Sequence, residues 1–167
     1  MERLLVDPIT ETERLDAEDW YRNAYLQAQR IAEWIEGTPE MGACILSAFS
    51  IRTSWERNVI DAWNFAHGEY VQGLEIRRAL ATASLTAGFD AFKAPKTNAF
   101  ARAIAGDTDA VVIDVWMCRA AGINRDAPSV VQYRNIAKAV ATLAKRHDMA
   151  PRDMQALIWG RVRGSMV

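Results

Sequence analysis

Apolar residues recur at intervals of three and four along most of the chain, the spacing of helices that each bury one face. Trp20, Ala24, Ala28, Ile31 and Ile35 form such a stripe and predict a helix from about Ala17 to Ile35, ended by Gly37. Residues 1–16 are polar and mixed, and they are expected to form an extended arm. Thr38-Pro39 supplies a cap and a first-turn proline for a second helix, whose Ile45-Leu46-Ser47-Ala48-Phe49 is apolar enough to be central. Thr53 followed by Glu56 has the spacing of a capping box. It precedes a helix to about Ala66 with Trp55, Val59, Ala62, Trp63 and Ala66 on its apolar face. Gly68 and Gly73 bracket a loop, and an alanine-rich helix spans about Glu75 to Thr86 before Gly88.

A tighter unit follows. A helical turn near Phe89–Phe92 leads through Lys93-Ala94-Pro95 into a helix from Lys96 to Ala105, and Gly106–Asp109 forms the next turn. Val111-Val112-Ile113 has strand propensity but no second strand to pair with, and an isolated strand leaves its backbone groups unpaired. It is read as the lead-in to a helix ending near Ala121. Ser129 and Gln132 mark a further capping box for a helix to His147, and Pro151 opens the last helix, with Met154, Leu157, Ile158 and Val162 inward. The reading is all-α.

Composition narrows the function classes. The 167 residues suit one compact domain or two small lobes, half are apolar and a quarter charged, and the net charge is -1. No global positive field draws such a chain to nucleic acid, so a nucleic-acid role must rest on a local patch. Two cysteines and two histidines (Cys44, Cys118, His67, His147) show no zinc or iron–sulfur spacing, so no metal or cofactor is expected. No signal segment and no run of about 18 apolar residues is found, which predicts a cytoplasmic protein without a membrane partner.

Chemistry concentrates on Lys96 and Asp114, eighteen residues apart, an amine opening one helix and a carboxylate ending a short valine-rich run. Such a pair suits reaction at a sugar or aldehyde carbon. The lysine must be neutral to attack, which desolvation against Phe92, Phe100 and Trp116 would favour. Asp114 is equally placed to cap a helix through its amide hydrogens. Ser47, Asn58 and Gln155 are polar residues on otherwise apolar helices, where a buried side chain needs a partner, and they are expected to line a pocket. Trp55 and Trp116 would offer stacking surface for a flipped base, and Arg119 either a phosphate contact or an interhelical ion pair. Lys93, Lys96 and Arg102 form a small basic rim.

The stretch from Pro95-Lys96-Thr97 through Gly106-Asp107 to Asp114-Val115-Trp116 and Arg119 resembles the helix-hairpin-helix DNA glycosylases that include endonuclease III. Lys96-Thr97 matches that family's Lys-Thr, Asp114 its aspartate, and Arg119 the arginine of the next turn. The specific match covers about residues 89–120. The resemblance implies a two-lobed helical glycosylase-like fold with a modified hairpin. The N/C-terminal lobe would be residues 1–49 and 123–167, and the hairpin lobe 50–122. Phe92 and Ala94 stand where the family's hairpin has glycines, and Pro95 removes an N–H, so backbone approach to a phosphate is narrowed. Trp55-Glu56-Arg57-Asn58, Gly106 to Trp116 and Pro151 to Trp159 further resemble small phage-type members of that superfamily.

These resemblances imply a DNA base-processing enzyme, an N-glycosylase with abasic-site lyase activity. Lys96 and Asp114 would be catalytic. Ser47, Trp55, Asn58, Trp116, Arg119 and Gln155 would bind substrate, and Lys93, Thr97 and Arg102 would contact the DNA backbone. The partner would be double-stranded DNA, modified pyrimidines included, in a bacterial host cell if the chain is phage-encoded. Two alternatives stay open: an amino-acid or amine transferase acting on modified thymine, and a non-catalytic DNA-binding or phage regulatory protein. The oligomeric state is left open.

Overall fold

The computed structural model describes Met1 and residues 7–164. It is all-helical, with no strand among the described residues. The helices are α1 (Glu11–Trp34), α2 (Pro39–Phe49), α3 (Trp55–Ala66), α4 (Glu75–Ala87), α5 (Pro95–Ile104), α6 (Val115–Ala120), α7 (Val130–Arg146) and α8 (Pro151–Arg163). A 3-10 turn, Gly88–Ala91, stands between α4 and α5.

The chain divides into two compact units, Met1–Arg22 with Asp107–Val167, and Asn23–Gly106. The sequence had suggested divisions near residues 50 and 122. The physical reason for the difference is α2, whose eight consecutive buried residues, Gly42 to Phe49, pack on α3, α4 and α5. That helix is the centre of the 23–106 unit.

Within this unit α1 comes close to α2. A Cβ added to Gly42 would lie 2.0 Å from the Ala28 carbonyl oxygen, so only glycine permits the approach. Ala24, Ala28 and Ile31 are buried as the helical stripe predicted. Thr38 caps α2 by accepting from Met41 N, and Pro39 occupies the first turn.

In the other unit Val111, Ile113, Met117, Cys118, Ile136, Val140, Leu143, Met154 and Ile158 form one apolar cluster that joins α6, α7 and α8. Residues 111–113 are irregular, as expected of a lead-in. Their backbone is satisfied by a side chain: Tyr133 Oη donates to Val111 O at 2.8 Å and accepts from Ile113 N at 3.4 Å. Burial pushes the Tyr133 phenol up to about 12. Ser129 and Gln132 form the anticipated capping box at the start of α7.

Two local expectations are corrected. Helix α1 begins at Glu11, well inside the supposed arm, because Thr10 and Glu13 make a reciprocal cap. Thr10 Oγ1 accepts from Glu13 N at 3.2 Å, and Glu13 Oε2 accepts from Thr10 N at 2.9 Å. At α3 the cap is Ser54, whose hydroxyl accepts from Arg57 N, rather than Thr53.

Candidate functional site

In the 23–106 unit the connection from the 3-10 turn to α5 is held by side chains more than by glycine. Asn98 Nδ2 donates to Phe89 O at 2.9 Å and to Phe92 O at 3.4 Å, which fastens the 3-10 turn to the first turns of α5. Asn98 Oδ1 accepts from Arg102 Nε at 3.0 Å, and the Arg102 guanidinium lies 4.5 Å above the Phe89 ring. Lys93 Nζ donates to Asp90 O at 3.0 Å. Lys93 and Arg102 are exposed, yet both are engaged with residues 89–98. Thr97 is buried: its hydroxyl donates to Ala94 O, and its carbonyl accepts from Ser47 Oγ at 2.7 Å. Ser47 therefore ties α2 to the opening of α5.

Lys96 is the second residue of α5 and is exposed. Its amine makes no ion pair or hydrogen bond among the described residues. Phe92, expected to pack beside this lysine, turns into the core instead, where it is 4% exposed. Trp55 packs edge-on against Phe100, ring centroids 6.3 Å apart, which sets the first turn of α3 beside α5.

One turn along α3 lies a buried polar node that the apolar stripe did not anticipate. Asn58 and Asp61 are each 1% exposed, and with Ala62 they are the buried residues of α3, while Trp55, Val59, Trp63 and Ala66 are half-buried. Asp61 lies between two guanidiniums. Arg57 Nε is 2.8 Å from its Oδ1, in an ion pair without hydrogen-bond direction, and Arg77 Nη1 is 3.6 Å from its Oδ2. Arg77 Nη2 donates to Arg52 O at 2.9 Å, and Arg52 sits in the left-handed region at φ 54°. Both polar atoms of the Asn58 carboxamide and Arg77 Nε have no hydrogen-bond partner among the described residues. A buried polar group left in that state costs about 1–3 kcal/mol, so such groups call for a functional account.

In the other unit Asp114 caps α6: its Oδ1 accepts from Met117 N at 2.9 Å, and its Oδ2 accepts from Trp159 Nε1 at 3.0 Å. The carboxylate is half-buried and held from two directions. Trp116 and Trp159 are each covered by an arginine, Arg119 at 4.4 Å and Arg163 at 4.8 Å from the ring centroid. Gln155 is buried and accepts from Tyr21 Oη at 2.9 Å, and Arg152 stacks over Tyr21 at 4.9 Å. Burial drives the Tyr21 phenol far above its ordinary range. Gln155 is thus bonded within the core of this unit.

Ser47, Thr97, Lys93, Arg102, Trp55, Asn58 and Lys96 fall in the 23–106 unit, and Asp114, Trp116, Arg119 and Gln155 in the other. Asp61 and Arg77 were missed. A lone aspartate after Trp-Glu-Arg-Asn looks like an exposed helix residue until its partner, sixteen positions on, is known. Burial pushes the Cys44 thiol up to about 12 and raises that of Cys118, and both behave as small apolar residues. No cluster of three or more metal-binding side chains occurs among the described residues, nor any helix long and apolar enough to cross a membrane.

A family model matches residues 7–166. The chain belongs to DUF7178, a family of unknown function. No curated protein and no solved structure matches it. For this DUF7178 chain the side-chain geometry is therefore the ground on which a function is argued.

Proposed function

We propose that the protein processes bases in DNA, as an N-glycosylase with an associated abasic-site lyase step, and that Lys96 supplies the nucleophile. The observation that carries this reading is the Lys96 amine, exposed in the first turn of α5 and held by no carboxylate among the described residues. A cation at that end of a helix is opposed by the helix dipole, which disfavours a merely structural role.

The chemistry balances without a cofactor. Once the ammonium has given a proton to water, the amine attacks C1′ of the sugar, the bond from C1′ to the base breaks, and the base leaves with its electron pair and takes up a proton. The sugar ring opens to an imine on Lys96 Nζ. Loss of a proton from C2′ then expels the 3′ phosphate, and water frees the lysine. Asn58 supports a base as substrate, because its buried carboxamide carries a donor and an acceptor in one plane that have no partner among the described residues and that a base edge would satisfy once uncovered. Trp55, beside α5, supplies a ring face for stacking.

The test is release of free base from duplexes carrying damaged or hypermodified pyrimidines, followed by mass spectrometry. Wild type should release at least one base, and Lys96→Ala should slow release at least 100-fold, roughly the scale of a lost nucleophile. Equal release by both proteins removes Lys96 from the chemistry. Tight duplex binding with no release by either favours the non-catalytic reading, and incorporation of a labelled amine into thymine-derived bases favours the transferase.

A further inference from the structure

We propose that the outward face of α7 binds the phosphate backbone of duplex DNA through Arg134, Lys138 and Lys145. The proposal rests on the DNA reading above and adds a surface to it that is separate from Lys93 and Arg102.

Helix α7 carries four cations, Arg134, Lys138, Lys145 and Arg146, and no carboxylate. Its inward face is fixed by Ile136, Val140, Leu143 and Ala144, all buried. At roughly 100° per residue, Arg134, Lys138 and Lys145 fall within about 40° of one another on the opposite side. All three are exposed, and none of their side chains has an ion pair or hydrogen bond among the described residues. A solvated helix face ordinarily mixes signs in pairs four residues apart, and like charges at that spacing destabilise it. Here Arg134 and Lys138 are such a like pair, and the helix offers no acidic side chain to offset them.

The whole chain has net charge -1, yet residues 115–163 hold nine lysines and arginines against three carboxylates. The row of exposed, uncompensated cations on α7 supplies the local patch that a weakly acidic chain requires for nucleic acid. Along the helix axis the three side chains rise by about 6 Å and then about 10.5 Å. Those steps are roughly two and three nucleotide rises of about 3.4 Å along one strand. An anionic bilayer fits less well. A helix lying on a membrane needs a free apolar half, whereas the apolar half of α7 is in the core and only Val130 and Val131 stand exposed at its first turn.

The experiment is fluorescence anisotropy of the full chain on a random-sequence duplex of about 20 base pairs, between about 50 and 200 mM salt. The triple variant R134Q/K138Q/K145Q should lower the magnitude of the slope of log K against log salt by about 2.7, since each lost phosphate contact removes about 0.9. The pair R22Q/R30Q, exposed cations elsewhere, should leave the slope as in wild type. Lys96→Ala should slow base release at least about 100-fold and keep most of the slope, which separates chemistry from binding. An unchanged slope in the triple variant overturns the α7 surface while the DNA reading stands. Absence of any duplex binding by wild type overturns both. Loss of binding to phosphatidylserine vesicles, with duplex binding intact, reassigns the face to a membrane and overturns the proposal.

Discussion

Trp159 Nε1 donates to Asp114 Oδ2 at 3.0 Å, so an indole on α8 holds the carboxylate that caps α6. The two residues are 45 positions apart, and the bond fixes an anion that would otherwise serve only its own helix. Asp114→Ala removes the cap and strands the indole N–H, and it should cost about 2–3 kcal/mol. Trp159→Phe removes one hydrogen bond and part of the packing, and it should cost less. Urea unfolding of both variants checks the order; a larger loss for Trp159→Phe would show that packing rather than the bond dominates.

Glu13 and Arg161 form a bidentate pair, with Nε to Oε1 at 2.7 Å and Nη2 to Oε2 at 2.8 Å. Arg161 also donates to the Asp7 and Pro8 carbonyls. The guanidinium, helped by the Thr10 amide, lowers the Glu13 carboxyl from 4.5 to about 2. Because the folded value is the lower one, the stabilisation is full above about 4.5 and is lost as pH falls from there toward 2. The carboxylate is 34% exposed, so solvent screening holds the effect to about 1 kcal/mol. Thermal melts of wild type and Glu13→Gln should differ at pH 7 and converge near pH 2; a constant difference would refute the pair's role.

At Asn58 the expected result runs against the usual cost of a core substitution. Its carboxamide is buried without a hydrogen-bond partner among the described residues, so Asn58→Leu should be neutral or stabilising by up to about 1 kcal/mol. The same change should abolish base release if this carboxamide reads the substrate. Clear destabilisation together with full activity would make Asn58 a structural residue.

The close approach of α1 and α2 gives a direct packing test. Gly42→Ala would force a Cβ to within 2.0 Å of Ala28 O, and backbone has to move to relieve it. Overpacking of this kind costs about 3 kcal/mol or more. Circular dichroism melts of Gly42→Ala measure the loss; a wild-type midpoint would mean that the two helices do not touch there.

Helix positions were legible in the sequence because apolar spacing and caps are local signals, and α2, α7 and α8 start where Thr38-Pro39, Ser129-Gln132 and Pro151 place them. The Thr10-Glu13 cap was equally local, but it lay in a polar stretch without an apolar stripe and was read as an arm. What the sequence could not reveal was pairing at a distance. Asp61 with Arg77, and Asp114 with Trp159, join different helices, and nothing in one residue's neighbourhood names the other. Ser47, Thr97 and Gln155 illustrate the same limit, since polar residues expected at a site are bonded to backbone or tyrosine in the core.

Borohydride trapping on a panel of abasic and modified duplexes, with the adduct located by peptide mass spectrometry, tests the central claim most directly. An imine between Lys96 Nζ and C1′ would be reduced to a stable amine, so a DNA-linked peptide containing Lys96 is predicted from wild type and none from Lys96→Ala. A cross-link of equal yield in the variant, or no cross-link to any duplex that the protein binds, would contradict it.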